Sequence, residues 1–107
     1  MAVRALLHLP AAVQAGVPFE VRVTVAHAME TGYRSDDAGN RLPRDLVRRF
    51  ECWVGEELAF SADLFAAVAA NPYLSFWLQV ERDAVLRFLW RGDQGFEHRE
   101  QRAVSVA

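Results

Sequence analysis

Between Pro18 and Met29 the chain alternates: Phe19, Val21, Val23, Val25, His27 and Met29 fall on one side of an extended backbone, and Glu20, Arg22, Thr24, Ala26 and Ala28 on the other. A period of two with β-branched residues on the apolar side predicts a half-buried β-strand. The pattern recurs in Arg48, Phe50, Cys52 and Val54 and, beyond a Gly55-Glu56 turn, in Leu58 and Phe60, which predicts a β-hairpin. Leu74, Phe76, Leu78 and Val80 form a further inward set, and Leu86, Phe88 and Trp90 another. Gly92-Asp93-Gln94-Gly95 then turns the chain into a last strand ending at Ala103-Val104-Ser105-Val106. With Arg4 to Leu9 as a first strand, about seven short strands punctuated by turns predict an all-β fold, a two-sheet antiparallel β-sandwich. One stretch breaks the pattern. Ala62 to Ala70 is Ala-rich and ends at Asn71-Pro72, so a short helical crossover is expected there, the only regular helix, over Asp63 to Ala70.

Composition narrows the function classes. An apolar share of 52% against 24% charged residues is a folding composition, and 107 residues suit a single domain spanning residues 1–107. The net charge of -2 leaves no excess positive charge to neutralise phosphates or anionic lipid, so neither nucleic acid nor a membrane surface is an expected partner. All 12 basic residues are arginine, which excludes a lysine side chain as Schiff base or nucleophile. The single cysteine, Cys52, excludes an intrachain disulfide, a CxxC motif and a multi-thiolate zinc site. The apolar stretch in Met1 to Pro10 is too short and too interrupted for a signal h-region or a membrane span, so the chain as given is expected to carry no export signal of its own.

Catalytic signatures are missing: there is no GxSxG elbow, HExxH helix, P-loop or GxGxxG. The expectation is therefore a protein that is not an enzyme and needs no cofactor. His27 and Met29 share one strand face, and His8 and His98 stand on strands that could bring them near, a donor set suited to copper. The alternative is a histidine and a methionine that complete a core face. A copper-binding β-sandwich is thus the second reading of the chain. Cys52, between Phe50 and Val54 on the same face, reads as a small buried hydrophobe rather than a reactive thiol.

Two regions carry residues that a core does not need. If Phe50, Cys52 and Val54 point inward, Trp53 points outward; Trp77 does so likewise, and Leu89 lies opposite Phe88 and Trp90. Trp53 and Leu89 together with Arg87 and Arg91 therefore make a candidate partner-binding sheet face, tryptophan and arginine being enriched at interface centres. The second region is the long connection from Glu30 to Asp45, which mixes both charge signs and carries Tyr33, Arg34 and Arg44 close after Met29. Connections of that length are often recognition elements. Its Ala38-Gly39-Asn40 tip suggests a small hairpin within the loop.

The run His27-Ala28-Met29-Glu30-Thr31-Gly32-Tyr33-Arg34, with Asp37-Ala38-Gly39 and Leu42-Pro43-Arg44-Asp45, resembles the loop signature of the SoxZ family. Ala62-Asp63-Leu64-Phe65 with Ala69-Ala70-Asn71-Pro72-Tyr73-Leu74-Ser75-Phe76 is a second likeness, and Trp90-Arg91-Gly92-Asp93-Gln94-Gly95-Phe96 a third, in order across nearly the whole chain. Ala28 and Ala66 stand where that family would place proline. The resemblance implies an immunoglobulin-like sandwich paired as a heterodimer with SoxY, whose mobile arm carries sulfur intermediates of thiosulfate oxidation on a cysteine. It also implies transient docking to SoxAX, SoxB and SoxCD, and a periplasmic location reached by co-export with the signal-bearing SoxY. An isolated chain is expected to be able to form a homodimer through the face its partner leaves vacant.

Overall fold

A computed structural model describes residues 4–107. The alternating segments form the strands β1 (Ala5–His8), β2 (Ala12–Val13), β3 (Phe19–Val25), β4 (Val47–Val54), β5 (Glu57–Asp63), β6 (Tyr73–Leu78), β7 (Ala84–Gly92) and β8 (Glu97–Val106). They assemble as two sheets, β1-β3-β6 and β2-β8-β7-β4-β5. The expected sandwich is therefore formed. In β3 the period of two is realised in full, with Phe19, Val21, Val23 and Val25 buried and Arg22 exposed.

Between the sheets, Phe50 is the central side chain, fully buried, with its ring 5.1 Å from Trp90 of the same sheet and 5.7 Å from Phe76 of the opposite one. Trp90, Phe88, Leu86, Cys52 and Val104 complete the layer of the larger sheet, and Val21, Val23 and Val25 the layer of the smaller. Each fully buried aliphatic or aromatic side chain of this kind stabilises the fold by about 1.5–3 kcal/mol.

Three features depart from the pattern-based expectation. The helical crossover over Asp63 to Ala70 does not form. β5 runs on through Asp63, opposite Arg49, and only a turn closed by Val68 N–H donating to Phe65 O follows. Leu64 is buried while Phe65, Ala66 and Ala67 are exposed, and Asn71, at φ 54° before Pro72, ends the segment. So short a run, with one side chain to bury and proline beyond it, is below the length at which a helix sustains itself. Secondly, β2 was not foreseen and pairs in parallel with the end of β8, Ala12 opposite Ser105. Thirdly, β3 stops at Val25, short of Met29. Met29 adopts φ 54°, a left-handed conformation that no strand continues through.

Candidate functional site

The outer face of the larger sheet is the first candidate surface. Its register sets Trp53 beside Arg87 and Gln101, Glu51 beside Leu89 and Arg99, and Arg49 beside Arg91 and Glu97. The Trp53 Nε1–H donates to Glu51 Oε1 at 3.0 Å, and the Arg87 guanidinium stands 6.0 Å from the centre of the Trp53 ring while donating to Gly55 O at 2.6 Å. Arg49 bridges Glu51 at 2.8 Å and Asp63 at 3.2 Å. Hydrogen bonds from Arg49, then from Trp53, hold the Glu51 carboxyl below the usual carboxylate range. Arg91 forms no ion pair among the described residues. A groove of about 790 Å³ runs over this face, lined by Glu51, Trp53, Arg87, Leu89, Arg99 and Arg102.

Trp53, Arg87 and Arg91 therefore lie together as the sequence predicted. Leu89 shares their face but differs in exposure. It is only 9% exposed, because long side chains on the neighbouring strands cover it, and it serves as the floor of the groove rather than as a projecting anchor.

The second candidate is the loop between β3 and β4, which is itself a hairpin. Glu30 and Asp45 exchange backbone hydrogen bonds at 2.8 Å each, and Ser35 bridges Arg41. The expected tip is present: Asp36 N–H donates to Asn40 O, and Asp36 Oδ1 accepts from the amides of Ala38 and Asn40. Gly39, at φ 85°, supplies the left-handed position that this turn requires.

Both ends of the hairpin are clasped to the sandwich. At the first end, His27 O accepts from Asn71 N–H at 2.7 Å while Asn71 Oδ1 accepts from His27 N–H at 3.0 Å. At the second, Asp93 Oδ2 accepts from Leu46 N–H at 3.1 Å and faces Arg44 Nε at 3.3 Å, while Asp93 N–H donates back to Leu46 O at 2.8 Å. Gly92 lies so close to Leu46 that a Cβ there would collide with the Leu46 carbonyl.

This anchoring sorts the loop residues named from sequence. Tyr33 is 79% exposed, and Arg34 and Arg44 are exposed although ion-paired to Glu30 and Asp93. Met29 is removed from the docking set. It is 5% exposed, a member of the core, with its sulfur accepting from Val47 N–H at 3.2 Å. The same geometry bears on copper. His27 Nδ1 accepts the Met29 amide at 2.9 Å and the Met29 sulfur is engaged by Val47 N–H, while His27 Nε2 faces Asp45 Oδ1 at 3.6 Å. His8 lies opposite Arg22, at the far end of β1 from His27, and His98 bonds Glu100 at 2.8 Å. No cluster of three His, Cys, Asp or Glu side chains occurs among the described residues.

Cys52 is fully buried, and loss of solvation pushes its thiol up to about 12. It lies in the core, away from both candidate surfaces.

A third surface was not assembled from sequence. β5 ends the larger sheet and β6 ends the smaller. Phe60 of β5 and Phe76 of β6 stack in parallel at 4.2 Å, so the two free edges lie on one side of the sandwich. Leu58 of β5, Phe65 just beyond it, and Tyr73 and Trp77 of β6 are all exposed. The signal in the sequence was the stretch Tyr73–Leu78, which contains no charged residue.

Nearly the whole chain is similar to known proteins, to a family in sequence and to solved structures in fold. The family described as sulphur oxidation protein SoxZ matches residues 7–103. No curated protein matches the chain significantly by sequence. Among solved structures, a superoxide reductase (neelaredoxin) from Ignicoccus hospitalis shares the fold with a TM-score of 0.72 at 20% identity, over 96% of this chain and 80% of that one. The sulfur carrier protein SoxY from Chlorobium limicola f thiosulfatophilum does so with a TM-score of 0.66 at 14% identity, over 96% of this chain and 78% of that one.

Proposed function

Since the chain belongs to the SoxZ family, we propose that it is the non-catalytic subunit of a SoxYZ sulfur-carrier complex, binding SoxY and helping to present cysteine-bound intermediates to SoxAX, SoxB and SoxCD. The observation that carries this reading is the family match across residues 7–103. The fold shared with a SoxY structure is consistent with it. Cys52 agrees with a supporting role. A carrier thiol must be exposed, mobile and able to ionise, and Cys52 is buried with its thiol pushed up to about 12, so the sulfur stays on the partner.

The surfaces divide in this proposal. SoxY takes the outer face of the larger sheet through Trp53, Arg87 and Arg91 over the Leu89 floor, and the hairpin with Tyr33, Arg34 and Arg44 meets the enzymes or the carrier arm. The complex works in the periplasm, which the chain reaches by co-export with SoxY. Native mass spectrometry of the chain mixed with its cognate SoxY tests the core of this. A 1:1 heterodimer is expected, and absence of any complex at micromolar concentrations would overturn it. Intact-mass analysis during thiosulfate turnover should place every sulfur adduct on SoxY.

A further inference from the structure

β6 is an unprotected sheet edge. It pairs with β3 along one side only, and among the described residues no strand covers the other. Natural sheets usually blunt such an edge with lysine, proline, a bulge or brevity. Tyr73–Leu78 has none of these: it is six residues long, its pairing with β3 is regular, and it carries neither charge nor proline.

The hydrogen-bond parity of the edge follows from two contacts. Val25 N–H donates to Pro72 O, and on the opposite side of β3 Ala26 N–H donates to Arg4 O. Antiparallel pairs alternate between bonded and non-bonded, so Leu74, Phe76 and Leu78 direct their amides and carbonyls to β3. Tyr73, Ser75 and Trp77 direct theirs outward, to the free edge. Their side chains stand on the outer face of the smaller sheet, where Tyr73 is 57% and Trp77 64% exposed.

We infer that this edge pairs with a second copy of the chain, β6 against β6 in antiparallel register about a two-fold axis at Ser75. The free row fits its own symmetry mate. Ser75 meets Ser75 of the second copy, and Tyr73 falls directly opposite Trp77 of the second copy, twice over. Aromatic pairs directly opposite one another are among the favourable cross-strand contacts. With no charge anywhere in the strand, self-pairing brings no like charges together. The other long free edge fails that criterion: β5 begins at Glu57 and ends at Asp63, so antiparallel self-pairing about Phe60 would set carboxylate against carboxylate. The closed two-fold contact joins the small sheets into one of six strands and uses up the edge, so assembly stops at the dimer.

Sedimentation velocity of the isolated chain over a concentration series tests the inference, with Ser75→Pro and Trp77→Lys alongside. Proline at 75 removes an outward amide and leaves the ladder to β3 intact, and Trp77→Lys adds a charge to an exposed position. A wild-type dimer is expected, with its dissociation constant raised at least about ten-fold in each variant, both keeping native far-ultraviolet circular dichroism. Amide exchange at Tyr73, Ser75 and Trp77 should slow as wild-type concentration rises. A wild type that stays monomeric up to about 100 µM would overturn the inference. So would a dimer that survives both variants but dissociates in Trp53→Asp. A monomeric wild type whose SoxY complex is lost in Ser75→Pro would give the edge to the heterologous partner and overturn it equally.

Discussion

Trp53 and Trp77 are both outward-facing tryptophans on β-strands, yet their surroundings differ in kind. Trp53 is half-buried; its indole N–H is bonded to Glu51, a guanidinium stands near its ring, and Glu51 is itself held by Arg49. Trp77 projects from an edge strand opposite Glu20, which is already engaged by Arg22 and Ser75, and its ring has no aromatic partner among the described residues. The first surface is organised by polar contacts within the chain before any partner arrives. A partner must match its charges, which favours specificity and orientation. The second surface offers an apolar ring and unpaired backbone groups, and what those select for is another uncharged strand. A tryptophan therefore marks an interface by what it leaves unsatisfied, and the backbone beside it says what kind of partner would satisfy it.

The largest expected effect separates the two surfaces by stability. Phe76 is buried and stacks on Phe60 between the free edges, so Phe76→Ala opens a cavity on that side and should cost about 3–4 kcal/mol. Loss of amide protection should begin in β5 and β6 while β7 and β8, which share the longest ladder, stay protected. Uniform loss across both sheets would show that the two sides are one cooperative unit and would break the comparison.

The alternation in β3, β4 and β7 made the sandwich and the burial of Cys52 legible, because a period of two with large apolar residues admits few other folds. The loop tip was legible through Asp36, Gly39 and Asn40, which carry their turn chemistry locally. Exposure was not. Alternation tells which face a side chain takes but not what covers that face, so Leu89 was placed correctly and its burial missed. Met29 fits the strand period by residue type, but a left-handed backbone ends the strand before it, and that turn depends on the distant contacts of His27 with Asn71. The open β5–β6 side depends on strand order, which pattern alone does not encode.

A second contrast concerns binding. Trp53→Asp should weaken association with SoxY by about 2 kcal/mol, roughly thirty-fold, while the melting curve of the isolated chain moves little. Trp77→Lys should leave that association unchanged. Isothermal titration of both variants decides the matter, and equal losses would mean that the heterodimer contact spans both surfaces.

Cys52 supplies a control that should touch neither surface. Cys52→Ser puts a hydroxyl into an apolar layer and should cost about 1–2 kcal/mol, with full thiosulfate turnover in the presence of intact SoxY. The buried thiol holds its proton more tightly in the folded chain than in the unfolded one. Its contribution is therefore intact below pH 9 and is lost as pH rises from there toward about 12, so wild type should lose more stability over that range than Cys52→Ser. Native protein should also resist iodoacetamide near neutral pH. Rapid alkylation without unfolding would show an accessible thiolate and reopen a chemical role for this chain.

The smallest expected effect lies in the hairpin, where charge acts at the rim of a surface. Arg34 is mostly exposed and paired to Glu30, whose carboxyl its hydrogen bonds hold below the usual carboxylate range. Arg44 is half-exposed and pairs with the well-shielded Asp93 carboxylate, which also accepts from Leu46 N–H. Reversal at either position sets like charges together, against Glu30 or against Asp93, but only at Arg44 does the repulsion fall on the clasp that fixes the hairpin's second end, where Asp93 also holds Leu46 N–H. Rim charges act mainly on encounter, and salt screens them over about 8–10 Å. Arg34→Glu should therefore slow productive turnover by about three-fold at low salt and by less as salt rises. Arg44→Glu should show the same salt-dependent part plus a loss that salt does not remove, since a displaced hairpin is not restored by screening. Steady-state thiosulfate oxidation with the full set of partners at two ionic strengths separates these outcomes. Salt-independent rates equal to wild type in both variants would make the hairpin a passive connection and leave the sheet surfaces to do the docking alone.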